Sequence, residues 1–259
     1  MRVCRFLDGD TPAWGVVEGD QVSRLRGDPF ADCEAGAPVA PVGSLTLLAP
    51  CEPTKVVCAG RNYRSLLAEQ GRDVPDVPFL FLKAPNAVVG PGARVFYPAG
   101  VADLAHEGEL AVVIRRRSSR LLASEVADAV LGYTCANDLT VRDWQDPNSQ
   151  WLRAKSSDTH CPLGPWIETD LADPGDVEVR TTVNGELRQQ GRTNDQVYGV
   201  EELLCFITAH MTLQPGDVVL TGTAAGIRPV QVGDTMTVQA EGIGALTNTV
   251  EPWPERPAD

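Results

Sequence analysis

Several signals are missing from this chain, and each missing signal removes a class of function. Basic residues are in deficit: 22 Lys and Arg stand against 35 Asp and Glu, a formal net charge of −13 at pH 7. Such a surface repels a phosphate backbone, so nucleic acid is not an expected partner. Most of that charge serves solubility, with a share left for carboxylates that gather a cation. No apolar run approaches the roughly 20 residues of a membrane span. The opening MRVCRFLDGD has no apolar signal-peptide core. The seven cysteines, Cys4, Cys33, Cys51, Cys58, Cys135, Cys161 and Cys205, are odd in number and never fall in CxxC spacing. They read as reduced thiols in a cytoplasmic protein. No G-x-G-x-x-G follows a strand, so no dinucleotide cofactor is expected.

What is present is an ordinary globular composition, 43% hydrophobic and 22% charged over 259 residues. That length supports one large domain, or a main domain with a small appendage. Residues 1–50 read as a small β-rich domain, because MRVCRFLDGDTPAWGVVEGDQVSRL alternates apolar and polar residues between Gly-Asp turns. The Ala-, Gly- and Pro-rich stretch from Asp28 to Val42 reads as a linker or loop. Residues 51–259 form the main body, with strands expected at Val56–Ala59, Phe79–Lys83, Glu109–Arg115, Gly132–Cys135, Val177–Val183, Val218–Leu220 and Thr235–Ala240. Short helices are expected over Tyr63–Gly71, over Ser124–Val130 with Ser124 as N-cap, and over Val200–Ala209. Pro85–Gly92 reads as a loop, Asn184-Gly185 as a hairpin turn, and Glu251–Asp259 as a tail. The expected class is therefore mainly β with some α, the helices lying outside a β-rich core.

The segment HEGELAVVI carries the most chemistry. Residues i and i+2 of a strand share a face, so Glu107 and Glu109 would project side by side. Two adjacent carboxylates raise each other's pKa unless a positive charge lies between them, and a divalent cation is the simplest such charge. The alternative is a solvated strand edge carrying two glutamates. Asp138, in GYTCANDLTVRDWQD where a strand runs into a polar turn, adds a third hard oxygen donor. With no Cys or His at ligand spacing, the set suits Mg²⁺ or Mn²⁺ better than Zn²⁺. Three protein ligands would leave coordination positions for water and substrate. Lys155 is either a surface lysine or the charge that offsets an anionic ligand or enolate. TGTAAG, from Thr221 to Gly226, reads as a Gly-rich turn that brings backbone N–H groups near an anion.

In this order, CAGRNYRSLLAEQG, FLFLKAPNAVVGPG, HEGELAVVI, GYTCANDLTVRDWQ, KSSDTHCPLGPW, VNGELRQQG, MTLQPGDVVLTGT and EGIGALTN resemble the fumarylacetoacetate hydrolase superfamily, from about Lys55 to Val250. The resemblance implies a mixed β-sandwich or β-roll, a homodimer, and Mg²⁺ or Mn²⁺ on Glu107, Glu109 and Asp138. It implies a small β-diketo or 2-keto acid substrate that reacts through a metal-stabilised enolate, with C–C hydrolysis the leading reaction. Arg142, Gln145, Lys155 and Thr223 match positions that contact substrate or support catalysis, and Arg61 and Asn62 fall in the matching GRNY segment.

Two departures bear on the reaction. Relatives that hydrolyse or decarboxylate carry NYxxHxxE, whereas this chain has NYRSLLAE: Leu66 stands at the histidine position and Glu69 remains. Leucine cannot accept a proton, so the general-base step, worth ~10²–10⁴ in rate, must come from elsewhere or be absent. The alternative is then a non-hydrolytic enzyme: a keto–enol isomerase, decarboxylase, dehydratase or cyclase. Among the three histidines, His106 should face away from Glu107, His160 is the candidate replacement base, and His210 ends a helix. Ala224 replaces the proline of the family's TGTP motif without removing a functional group.

Overall fold

The alternating start of the chain becomes three antiparallel strands, β1 (Arg2–Asp8), β2 (Thr11–Glu18) and β3 (Gln21–Gly27). The structure, a computed structural model, describes residues 1–146 and 148–255. Correcting the expected linker, the stretch between Asp28 and Val42 contains β4 (Cys33–Pro41), paired with β3. It lies at the end of its sheet. An edge strand is bonded on one side only, so Pro38 and Pro41 fit there as they could not in a central strand.

After β5 (Leu47–Leu48) come β6 (Val56–Gly60), α1 (Arg64–Glu69) and β7 (Phe79–Lys83), close to their expected spans. The stretch expected as a loop at Pro85–Gly92 holds a 3-10 turn and β8 (Val88–Val89), followed by β9 (Arg94–Tyr97), β10 (Leu104–Ala105) and β11 (Gly108–Ile114). The expected Ser124 helix shrinks to a 3-10 turn at Ala123–Glu125 and α2 (Val126–Ala129). Its entry is fixed by Glu125 Oε2, which accepts the Leu122 N–H at 2.9 Å, in place of a Ser124 cap. β12 (Val130–Asn137), β13 (Thr140–Val141), α3 (Leu152–Lys155) and β14 (Cys161–Glu168) follow. β15 (Glu178–Val183) and β16 (Glu186–Arg192) meet at Asn184-Gly185, whose φ values of 52° and 81° are those of a tight hairpin turn. The chain continues through α4 (Val200–Thr208), β17 (Val218–Thr223), β18 (Pro229–Val230), β19 (Thr235–Ala240) and β20 (Gly244–Pro252). Two further corrections arise here. Thr221 to Thr223 belong to a strand, and the expected tail is strand as far as Pro252, while residues 256–259 lie outside the described residues.

A large mixed sheet runs β4-β3-β2-β1-β14-β12-β11-β17-β6-β7, so the N-terminal strands extend the same sheet as the main body through β1 and β14. A smaller sheet, β16-β15-β19-β20-β9, packs on it through contacts of β15, β19 and β20 with β11, β12 and β14. This is a β-sandwich with helices outside. The central strand β11 explains its own sequence. Val112 and Ile114 pack with Leu204 and Ile207 of α4, whereas Ala111 and Val113 pack with Val56, Val218 and Leu220 on the other face. Covered on both sides, the strand must be a continuous apolar run, LAVVI. Among the described residues no helix is long and apolar enough to cross a membrane.

Candidate active site

The mouth of β11 brings three carboxylates together. Glu107, Glu109 and Asp138 are buried, and one oxygen from each lies within 4.8 Å of the others. Period-two alternation aims both glutamates one way, and the Asp138 N–H donates to the Glu107 carbonyl at 2.8 Å, which locks the third beside them. The residue between the glutamates must be glycine, since a Cβ on Gly108 would run into Thr181 Oγ1 of the covering sheet.

Their partners are two buried lysines, a threonine hydroxyl, an arginine and a backbone amide. Lys155 Nζ donates to Asp138 Oδ2 at 2.6 Å and to Glu107 Oε2 at 3.0 Å. Lys83 Nζ donates to Asp138 Oδ1 at 2.6 Å and to the Leu139 carbonyl at 3.0 Å. Glu107 Oε1 accepts from Thr140 Oγ1 at 2.7 Å and lies 3.4 Å from Arg142 Nη2. Among the described residues Glu109 receives only the Gly222 N–H, at 2.6 Å, on Oε2. Here the TGT segment does aim a backbone amide at an anion, and that anion is Glu109.

Electrostatics separates the three. Burial works to raise Asp138, but Lys155 and Lys83 outweigh it and hold the carboxyl below its ordinary value. Burial works to lower Lys155, but Asp138 and Glu107 hold its proton more tightly than usual. Burial, then Asp138 and Glu107, push Glu109 well up. Among the described residues Glu109 forms no ion pair, and the carboxylates beside it offer oxygen donors only. The donor set fits a hard divalent ion, which would sit against Glu107, Glu109 and Asp138 and offset the charge the lysines leave.

Above the carboxylates opens a cavity of about 380 Å³, within the roughly 300–1,000 Å³ usual for small-molecule sites. Arg61, Arg142, Gln145, Lys155 and Thr223 line it together with the carboxylate trio. Arg142 Nη1 donates to Gln145 Oε1 at 2.7 Å, which orients the amide and leaves its N–H groups for a ligand. Thr223 Oγ1 donates to the Gly108 carbonyl at 2.8 Å and accepts from Gln189 Nε2 at 2.9 Å. Leu66 also lines the cavity, packed beside Tyr63 and Ala224.

Three of the sequence candidates do not reach the cavity wall. His160 is buried elsewhere, its Nε2 donating to the Phe96 carbonyl at 2.8 Å, and burial pushes its pKa down to about 4. Asn62 clamps the backbone, donating to the Tyr198 and Thr221 carbonyls at 2.9 and 2.8 Å and accepting the Tyr198 N–H. Glu69 turns sideways, accepting the Gly226 N–H at 3.2 Å and facing Arg228 at 3.4 Å. His106 does point away from the trio, its Nδ1 meeting Gln189 Oε1 at 3.1 Å.

Lys83 was missed by the sequence reading, as were Gln70, Arg72, Phe81 and Trp151 of the cavity wall. A signal for Lys83 existed: in FLFLK it shares strand parity with Phe81, which lines the cavity. A lysine buried on that face at the end of the strand needs a carboxylate partner.

A mixed β-sandwich with an E-x-E strand mouth, a third carboxylate and two buried lysines defines an acid-rich cavity enzyme. Residues 55–251 match the family Fumarylacetoacetate (FAA) hydrolase C-terminal, and residues 1–50 match Rv2993c-like, N-terminal. The chain belongs to the fumarylacetoacetate hydrolase superfamily and is an enzyme of it. It is 40% identical to the mitochondrial oxaloacetate tautomerase FAHD2B of Bos taurus over 225 residues, covering 82% of this chain and 72% of that one. It superposes on the 5-carboxymethyl-2-hydroxymuconate delta-isomerase of Mycobacterium smegmatis with a TM-score of 0.91 at 42% identity, covering 98% of this chain and 100% of the other. The maleylpyruvate hydrolase of Sphingobium sp. SYK-6, solved with manganese(II) and pyruvate, gives a TM-score of 0.82 at 29% identity over the same shares of the two chains.

Proposed function

We propose that the chain is a divalent-cation-dependent enzyme that moves a proton between the keto and enol forms of a small 2-keto acid, without hydrolysing it. The observation that carries this reading is the cavity lining. Among the described residues it contains no imidazole, and its only carboxylates are Glu107, Glu109 and Asp138. Among the described residues, the cavity wall offers no imidazole and no carboxylate beyond that trio to deprotonate a water. Glu69 is engaged by Gly226 and Arg228, and His160 by Phe96. The names of the bovine tautomerase and the mycobacterial isomerase, both at 40% identity or above, point the same way.

A bound Mg²⁺ or Mn²⁺ supplies electron withdrawal from the keto-acid oxygens, which acidifies the neighbouring C–H. The manganese ion in the maleylpyruvate hydrolase structure supports such an ion here. Arg142 and the oriented Gln145 amide offer N–H donors to the substrate's carboxylate. Lys155 would carry the proton: its two strong bonds go to Asp138 and Glu107, and a cation held by those carboxylates would weaken its hold on that proton. Leu66 over the site keeps water out, which favours exchange of a proton with carbon over attack on carbon. All seven cysteines are free thiols, which supports a reducing, cytoplasmic setting.

The second reading is C–C hydrolysis of an acylpyruvate, supported by the likeness to maleylpyruvate hydrolase. It requires a base for water that the cavity wall lacks. The test is the decay of enol-oxaloacetate absorbance with Mg²⁺ present. The proposal expects wild type to accelerate it and Lys155→Met to lose at least about a hundredfold in kcat. Equal rates for the two proteins would remove Lys155 from the mechanism, and a wild type without effect would overturn the reading.

A further inference from the structure

Two positive groups in the cavity wall remain unused by this account. Arg61, half-buried, stacks its guanidinium over Phe79 at 4.7 Å and over Trp151 at 5.8 Å from the ring centres. The stack occupies the flat face of the group and leaves its N–H edge free, and among the described residues that edge meets no acceptor and no carboxylate. Arg72, just beyond α1, lines the same cavity and also has no ion-pair partner among the described residues. The two feel each other: burial, then the Arg72 charge, lowers the Arg61 pKa. Arg61 also holds a left-handed backbone conformation, φ 57°, which is unfavourable for a non-glycine residue. Half-buried Arg61 and exposed Arg72 face one small cavity, and neither has an ion-pair partner among the described residues, an arrangement that an anion relieves.

Arg142 and Gln145 already serve one carboxylate in the proposed function, so the anion here is a second one on the same molecule. We propose that Arg61 and Arg72 hold the distal carboxylate of the substrate and so select 2-keto dicarboxylates over 2-keto monocarboxylates. This rests on the keto-acid reading above. It also gives the aromatic pair a purpose: Phe79 and Trp151 fix the guanidinium so that its donor fork is oriented before the dianion arrives.

The experiment follows exchange of the C3 hydrogens with deuterated solvent, with Mg²⁺ present, for oxaloacetate and for 2-oxobutanoate, which has the same chain length and no distal carboxylate. The expected result is that wild type prefers oxaloacetate in kcat/KM. Arg72→Ala and Arg61→Gln should each reduce that preference by roughly tenfold or more through KM, the usual scale for losing a charge-assisted bond. Inhibition by oxalate, which carries only the head group, should shift far less than the oxaloacetate KM. If both variants keep the wild-type preference, or lose both acids and oxalate equally, the clamp is overturned. If wild type exchanges 2-oxobutanoate as readily as oxaloacetate, the clamp falls while the keto-acid reading stands. If wild type exchanges neither acid, the keto-acid reading fails and the clamp with it.

Discussion

At the scale of single residues, the proposed function turns on Leu66. The resemblance implies an imidazole at this position in relatives that hydrolyse or decarboxylate, and here Leu66 packs with Tyr63 and Ala224 against the cavity. Substituting Leu66→His should raise acylpyruvate hydrolysis or oxaloacetate decarboxylation by about tenfold or more, toward the ~10²–10⁴ a positioned base is worth. Product-release assays showing no gain, from a folded variant, would mean that water activation is limited by something other than this side chain. Lys83 is the complementary case, a residue whose importance is electrostatic. It is buried, and Asp138 Oδ1 is 2.6 Å away. Lys83→Met leaves that carboxylate short of a partner, and urea unfolding of the metal-free protein should show a loss of roughly 3–5 kcal/mol. A loss under about 1 kcal/mol would show that Lys155 alone compensates Asp138. The trio Glu107, Glu109 and Asp138 was legible because alternation and hard-donor chemistry are local properties of sequence. Lys83 was not, because its partner lies 55 positions away and the pairing of the two depends on the sheet.

At the scale of elements, helix α1 is fastened at both ends. The Ser65 N–H donates to Asp195 Oδ2 at 2.9 Å, and Arg64 donates to the Gln196 carbonyl. At the far end Glu69 bonds the Gly226 amide and faces Arg228. That last pair is partly exposed, so it contributes at most about 1 kcal/mol to global stability. Glu69→Ala should therefore leave the unfolding midpoint almost unchanged while amides of α1 exchange hydrogen faster with solvent. Proton exchange on substrate should persist. If instead the variant keeps its amide protection and loses catalysis, Glu69 acts on substrate and not as a latch. Strands such as Phe79–Lys83 and Thr235–Ala240 were legible because both their faces and their turns are written locally. β4 was hidden because the edge of a sheet tolerates prolines that normally mark a loop. His160 looked like a base from its nearness to Lys155 in sequence. The strand β14 starts one residue later and carries the imidazole away to Phe96.

At the scale of the whole molecule, one large sheet joins the N-terminal strands to the site-bearing body, and the second sheet presses on Gly108 to set the glutamates. The superfamily resemblance implies a homodimer, and light scattering at micromolar concentration should return twice the 27.8 kDa chain mass. A monomer mass would contradict it. In the proposed function this fold assembles a cation and a lysine to move a proton on a keto acid while keeping water from its carbon. Proton NMR of oxaloacetate in deuterated buffer reads both halves of that claim in one sample. With Mg²⁺ and wild-type enzyme, the C3 hydrogens should exchange well ahead of the uncatalysed rate while pyruvate forms no faster than without enzyme, and chelating the metal should stop the exchange. Enzyme-dependent pyruvate formation at an ordinary turnover of around ~10 s⁻¹, or exchange that survives complete removal of divalent metal, would contradict the account.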